Sequence, residues 1–171
     1  TLTLGAVSDT LDACGKIVPS GARIDFSPAQ IEEAFNKFSG EIAQDVPMYS
    51  AAKRNGRKLY ELARKGVTVS VEPKRVTIKK IEIRKISLPE VSFSVACSKG
   101  TYIRQLAADI GKELGCGAYL SRLVRTRSGG FFIRDSVSIE ELRGFSREQL
   151  ERYLRHCEAC EAGRSNLCFE G

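Results

Sequence analysis

The sequence predicts an α+β fold, a mixed and mainly antiparallel sheet with flanking helices, on three observations. Val91, Phe93, Val95 and Cys97 alternate with Ser92, Ser94 and Ala96, the period of a half-buried strand. Immediately afterwards Ile103, Leu106, Ala107, Ile110 and Leu114 recur at helical spacing. Further strand-like and helix-like stretches are interspersed along the rest of the chain, which argues for one sheet with helices packed on it rather than separate all-α and all-β parts. The 171 residues suit one globular domain with a sizeable core.

Taken in order, Ser27-Pro28-Ala29-Gln30 reads as a helix start. Ser can cap, Pro suits the first helical position, and Gln three residues on can close a capping box. Ile31, Ala34, Phe35 and Phe38 then carry the apolar face, with Gly40 as the expected stop. Asp45-Val46-Pro47 breaks the pattern. Leu59, Leu62 and Ala63 mark a short, strongly basic helix ending at Gly66. Residues 76–86 are rich in β-branched side chains, but the apolar positions change parity between Ile78 and Ile81, so a bulge or a break between two strands is expected there. Leu88-Pro89-Glu90 supplies the turn into the strand at 91–97. The following helix is expected from about Tyr102 to Leu114, stopped by Gly115. An apolar segment from Tyr119 to Val124 leads into Phe131-Phe132-Ile133, read as a strand, and Ser138 with Glu141 begins a capped helix. Periodicity is lost after Arg155.

Charge is distributed unevenly. The chain carries a net +6, yet residues 53–85 alone hold twelve basic and three acidic side chains, a net +9. Concentrated positive charge suits a polyanion such as nucleic acid, the alternative being a solvated basic face. No apolar run reaches membrane-spanning length and Thr1-Leu2-Thr3-Leu4 resembles no signal peptide, so a soluble cytoplasmic protein is expected. Six scattered cysteines fit reduced thiols better than a disulfide scaffold.

The sharpest local conflict is Lys99 and Arg104 around a helix N-terminus, where the helix dipole disfavours cations. A bound carboxylate or phosphate resolves it; snorkelling of Arg104 into solvent also does. Tyr102 reads either as a core-edge aromatic or as a platform for a base. Asp9 and Asp12 read as an acid/base pair or as a polar turn with Asx hydrogen bonds. His156, Cys157, Cys160 and Cys168 include one Cys-x2-Cys spacing compatible with zinc, without a partner pair. Phosphate-binding glycine loops, paired histidines and nucleophile elbows do not occur in the sequence.

Several segments together resemble the TruB-type bacterial tRNA pseudouridine synthases that act on the T-loop. They are Leu4-Gly5 with Ser8-Asp9-Thr10-Leu11-Asp12-Ala13-Cys14-Gly15, Val46-Pro47-Met48-Tyr49-Ser50-Ala51-Ala52-Lys53, and Gly56-Arg57-Lys58-Leu59-Tyr60-Glu61-Leu62-Ala63-Arg64-Lys65-Gly66. The most specific are Cys97-Ser98-Lys99-Gly100-Thr101-Tyr102-Ile103-Arg104 and Gly115-Cys116-Gly117-Ala118, followed by Leu123 and Arg125. The resemblance implies a pseudouridine synthase-like catalytic fold over residues 1–142, containing a basic RNA-gripping insertion at about 46–75. Residues 143–171 are expected to form a C-terminal helix and tail with no recognisable PUA module.

Enzymes of this family cleave the bond from ribose C1′ to uracil N1 and rejoin the ring through C5, with no redox cofactor and no metal. Their catalytic Asp reaches a base that has left its stack. By resemblance Arg104 would pair with that Asp, Tyr102 would line the pocket, and Leu123 would form an apolar wall. Lys53, Arg57, Lys58, Arg64, Lys65, Lys99 and Arg125 would bind the T-arm backbone. The family's Gly-x-Leu-Asp-x-x-Ala-x-Gly nucleophile segment does not occur in this sequence, and Leu11-Asp12 lacks its flanking residues. The expectation is therefore a tRNA pseudouridine synthase whose nucleophile lies outside this chain, leaving Arg104 here without its carboxylate partner unless another acid takes the place. The chain alone would be inactive, with the missing N-terminal half as a partner. The alternative is a non-catalytic RNA-binding module derived from the same fold.

Overall fold

In the computed structural model, which describes residues 1–54 and 56–153, a five-stranded sheet gathers strands from both ends of the first 120 residues. Its order is β4 (Gly40–Gln44), β7 (Lys74–Ser87), β8 (Glu90–Cys97), β1 (Leu2–Leu4), β9 (Ala118–Leu120). All four pairings are antiparallel, and the one parallel contact among the described residues is an isolated bridge between Asp12 and Leu120. Two small hairpins stand outside the sheet, β2 (Ala6–Ser8) with β3 (Ile17–Pro19) and β5 (Lys53–Arg54) with β6 (Arg57–Lys58). Helices α1 (Pro28–Asn36), α2 (Leu59–Ala63) and α3 (Ile103–Glu113) complete the compact unit of residues 1–123. Among the described residues no helix is long and apolar enough to cross a membrane.

The core forms where α1 and α3 lay their apolar stripes on the sheet. Leu2, Val91, Leu106 and Ile110 are fully buried within it. Each such side chain contributes about 1.5–3 kcal/mol by leaving water. Phe35 of α1 meets Phe93 edge-on at 5.2 Å. The Ser27 capping box is present, with Gln30 N–H donating to Ser27 Oγ and Ser27 N–H donating to Gln30 Oε1. Helix α1 closes earlier than the sequence suggests: its last turn tightens at Phe35–Phe38, and Gly40, expected as its stop, opens β4 instead. The parity change at 78–81 proves to be a bulge inside one continuous 14-residue strand, with a second register shift between Ile83 and Lys85.

A close approach explains Gly111. Its carbonyl accepts the amides of both Cys116 and Gly117, pulling the chain after α3 tightly over the helix. A Cβ there would overlap the Ala118 amide and lie 2.5 Å from the Gly117 carbonyl carbon. Ala is favoured over Gly in a helix interior by about 1 kcal/mol, but backbone atoms cannot rotate away. Gly111→Ala is therefore expected to cost a net 1–3 kcal/mol or so. A denaturation midpoint at or above that of the unsubstituted protein would contradict this packing.

Beyond Leu123 a second compact unit begins. It contains the hairpin β10 (Arg127–Ser128) with β11 (Phe131–Phe132) and α4 (Ile139–Arg143). Ile133, read from the sequence as part of the strand, instead starts a 3-10 turn through Asp135. The Ser138–Glu141 capping box forms as expected. Arg127 and Arg134 stack on Phe132 at 4.9 and 4.8 Å from its centroid.

Candidate functional site

Between β2 and β3 the chain makes a polar loop stapled to edge strand β9. Leu120 N–H donates to the Leu11 carbonyl at 2.9 Å, and Ala13 N–H donates to the Leu120 carbonyl at 3.0 Å. Leu11 sits at φ +65°, the only non-glycine residue in the left-handed region among the described residues. That conformation is costly for a side chain as bulky as Leu. The residue after it, Asp12, is presented at a fixed place, its Oδ1 accepting from Thr10 Oγ1 at 2.7 Å and from Cys14 N–H at 3.0 Å. Asp9 makes a separate contact across the loop, its Oδ1 accepting the Lys16 N–H at 2.8 Å. The reading as a polar turn with Asx hydrogen bonds therefore holds for Asp12 through Oδ1, whereas Asp9 closes the loop over a longer span.

Asp12 does more through Oδ2, which takes a hydrogen bond from Arg104 Nη1 at 3.2 Å. Arg104 lies in the first turn of α3, 92 positions away, and its Nη2 donates to the Tyr49 carbonyl. Both charged side chains are about three-quarters buried. Arg104 is therefore held between a carboxylate and a carbonyl instead of snorkelling. The sequence leaves Arg104 without a carboxylate from this chain unless another acid fills the place, and Asp12 is that acid. This also resolves the clash between a cation and the helix N-terminus. Burial raises the Asp12 pKa, but the Thr10 hydroxyl, the Cys14 amide and Arg104 together outweigh it and hold the carboxyl below its ordinary value. Asp12 stays ionised opposite Arg104 at neutral pH. A guanidinium has five N–H donors, so these contacts leave Arg104 able to serve a second anion.

Tyr102 is the N-cap of α3 and stands half-buried immediately before Arg104's turn. The turn that carries it is anchored to β7 by Ser98, which donates its N–H to the Thr77 carbonyl and takes the Thr77 N–H on its hydroxyl. Thr101 Oγ1 donates to the Ser98 carbonyl. Gly100, at φ +81°, lets the Lys74 side chain lie across the turn. Lys99 projects from that turn and is exposed.

Five of the predicted basic residues, Lys53, Arg57, Lys58, Arg64 and Lys65, lie on or beside the β5–β6 hairpin and α2 of the same unit. Lys53 and Arg57 are exposed on the β5–β6 hairpin, and Arg64 and Lys65 on the end of α2. Lys58 and Arg64 both lie over the Tyr60 ring, at 5.5 and 5.4 Å from its centroid. A surface hollow of about 390 Å³ is lined by Arg54, Arg57, Leu62 and Val69. Leu123, at the end of the first unit, is 59% exposed, like several other large apolar side chains of the chain such as Val124 and Ile139. Arg125 is exposed and belongs to the second unit. His156, Cys157, Cys160 and Cys168 lie outside the described residues. Among the described residues Cys14, Cys97 and Cys116 are free thiols, and no group of three or more His, Cys, Asp or Glu could hold a metal ion.

Known proteins match the chain over these same residues. The sequence model described as TruB family pseudouridylate synthase (N terminal domain) matches residues 1–103, and that of the tRNA pseudouridylate synthase B C-terminal domain matches residues 104–159. Among curated proteins, tRNA pseudouridine synthase B of Clostridium tetani is 42% identical over 153 residues, covering 90% of this chain and 52% of the relative. The same enzyme of Syntrophomonas wolfei is 47% identical over 158 residues, again covering 90% and 52%. The chain thus spans about half the length of these relatives. A crystal structure of a Cbf5-Nop10-Gar1 complex contains a similar chain, with TM-score 0.57 and 28% identity over 82% of this chain and 33% of that one. An H/ACA RNP bound to a substrate RNA containing 2′-deoxyuridine shares the fold at TM-score 0.52, with 22% identity over 85% of this chain and 36% of that one.

Proposed function

The chain belongs to the TruB family of pseudouridylate synthases, and from that membership and the Arg104 geometry we propose that the full-length protein isomerises a T-loop uridine of tRNA to pseudouridine. Residues 1–142 are the later part of its catalytic domain, with 46–75 as the RNA-gripping insertion, and it works on tRNA in the cytoplasm. The observation that carries this reading is the guanidinium of Arg104, pinned by Asp12 and the Tyr49 carbonyl beside Tyr102.

The reaction asks for an ionised carboxylate aimed at ribose C1′ while the C1′–N1 bond breaks, and for a pocket that retains the released uracil as it turns to present C5. Arg104 supplies the first need. Its remaining N–H donors pair with the nucleophilic carboxylate, which is carried outside this chain, and keep it ionised and oriented. Asp12 sets the direction of the fork rather than attacking. Tyr102 lines the pocket beside the flipped base and Leu123 forms its apolar wall. Lys53, Arg57, Lys58, Arg64, Lys65, Lys99 and Arg125 grip the T-arm phosphates.

The test is incubation of the full-length protein with unmodified tRNA tritiated at uridine C5. Tritium release together with pseudouridine in the T-loop is the expected result. Release mapped to another region of the tRNA would remove the T-loop assignment, and no release would remove the isomerase reading.

The RNA grip is testable separately. Replacing Lys53, Arg57 and Lys58 by Ala is expected to weaken tRNA binding and flatten its salt dependence, the log–log slope falling by roughly 0.9 for each phosphate no longer neutralised. An unchanged slope would mean that these side chains are a solvated face only.

A further inference from the structure

Gln44 is 1% exposed at the end of edge strand β4, a polar amide at a boundary where an apolar side chain of the same length would avoid desolvation. It is not idle. Its Nε2 donates to the Tyr102 carbonyl at 3.1 Å, and its Oε1 accepts the Tyr102 N–H at 2.8 Å. One carboxamide thus closes on both backbone groups of one residue, as a neighbouring strand would.

The other helices show what this replaces. In α1 the N-cap Ser27 N–H is taken by Gln30, and in α4 the N-cap Ser138 N–H is taken by Glu141, each three residues into its own helix. In α3 the residue at that place is Gln105, whose Nε2 donates instead to Asp109 Oδ1 at 2.8 Å. The N-cap itself is Tyr102, whose side chain makes no capping bond. Gln44 therefore supplies from another strand the acceptor that the helix does not supply for itself. Tyr102 is left free to use its aromatic side chain. The same connection reaches α3 a second time five residues on, where the Tyr49 carbonyl holds Arg104.

We propose that Gln44 is a positioning residue: by fixing the Tyr102 backbone it sets the directions from which the Tyr102 ring and the Arg104 guanidinium enter the site. The proposal rests on the functional reading given above. A displacement of about 1 Å in such groups costs on the order of 100-fold in rate.

The test uses Gln44→Met in the full-length protein, which keeps the length of the side chain and loses both hydrogen bonds. A matched control is Phe35→Leu on α1, a core truncation against Phe93 of β8 that touches neither β4 nor the turn carrying Tyr102. Expected are a fall in kcat for pseudouridine formation of roughly 10- to 100-fold with KM for tRNA nearly unchanged, and faster hydrogen exchange at the Tyr102 amide. Phe35→Leu should lower the melting temperature while retaining kcat. Should Gln44→Met fail to fold, Gln44→Asn keeps the amide one methylene short and is expected to give the same split in smaller measure. Unchanged kcat, an equal loss in Phe35→Leu at matched melting temperature, or retained protection at Tyr102 would overturn the proposal. If the unsubstituted protein forms no pseudouridine, it is the functional reading that fails; the exchange measurement still decides whether Gln44 holds Tyr102.

Discussion

Arg104→Ala in the full-length protein is expected to slow pseudouridine formation by roughly 100- to 1000-fold, the scale on which a charge-assisted donor matters in an enzyme site. The tRNA Kd should change by less than about threefold, because the interaction removed is made to protein carboxylates and not to the RNA. Arg104 touches Asp12 with one terminal nitrogen and the Tyr49 carbonyl with the other, so its removal frees both the direction and the charge of the site. Asp12 would be left three-quarters buried without its cation, and some loss of thermal stability should accompany the loss of rate. Arg104→Lys separates the two effects. It keeps the charge but cannot make the planar two-pronged contact, so it should recover stability more than turnover. Single-turnover tritium release at a temperature where all variants are folded is the measurement. Turnover in Arg104→Ala equal to that of the unsubstituted protein would rule out the role assigned to it.

Much of the scaffold around this residue was legible because it is written locally. Both capping boxes join residues three apart, and α3 shows its apolar stripe within one window, so neither needs the rest of the molecule to be recognised. The bulge in β7 was visible as a parity change, although a sequence cannot distinguish a bulge from two strands until a partner fixes the register; here β8 does so. What escaped were strands too short to show a period. β1 has three residues and is nevertheless interior to the sheet, held by β8 and β9. β4 was hidden because Gly40 looked like a helix stop, and it is the strand that carries Gln44.

The site was legible from one side only. Arg104 announced itself as a cation placed against a helix dipole, which demands an anion without saying which. Asp12 was visible as a polar-loop carboxylate with nothing in the sequence to join it to a residue 92 positions later. The union depends on β9, which holds the loop through Leu11 and Ala13, and on a left-handed Leu11 that no propensity favours. Gln44 gave no signal at all. A glutamine at a strand end is ordinary until the helix it supports is seen to lack its own acceptor.

The 171-residue chain by itself is expected to bind tRNA and to form no pseudouridine. Lys53 and Arg57 on the hairpin, and Arg64 and Lys65 just after α2, are exposed, so the electrostatic part of binding is present. Chemistry is another matter, because neither Asp9 nor Asp12 stands in the Gly-x-Leu-Asp-x-x-Ala-x-Gly segment in which the family resemblance expects the nucleophile. Asp12 accepts from Thr10 and Cys14 through Oδ1 and from Arg104 through Oδ2, so both of its oxygens are already engaged within the protein. Asp9 points an oxygen at the Lys16 amide and has no contact with Arg104 among its hydrogen bonds. The assay is incubation of the purified chain with unmodified tRNA, with binding and pseudouridine measured on the same preparation so that a folded, RNA-competent sample is established. Adding the family's N-terminal half as a separate polypeptide should restore product, since strands on either side of a break can re-pair along a sheet edge. Robust product from the chain alone that disappears in Asp12→Asn or Asp9→Asn would make that aspartate the nucleophile and reverse the roles assigned to the Arg104 pair.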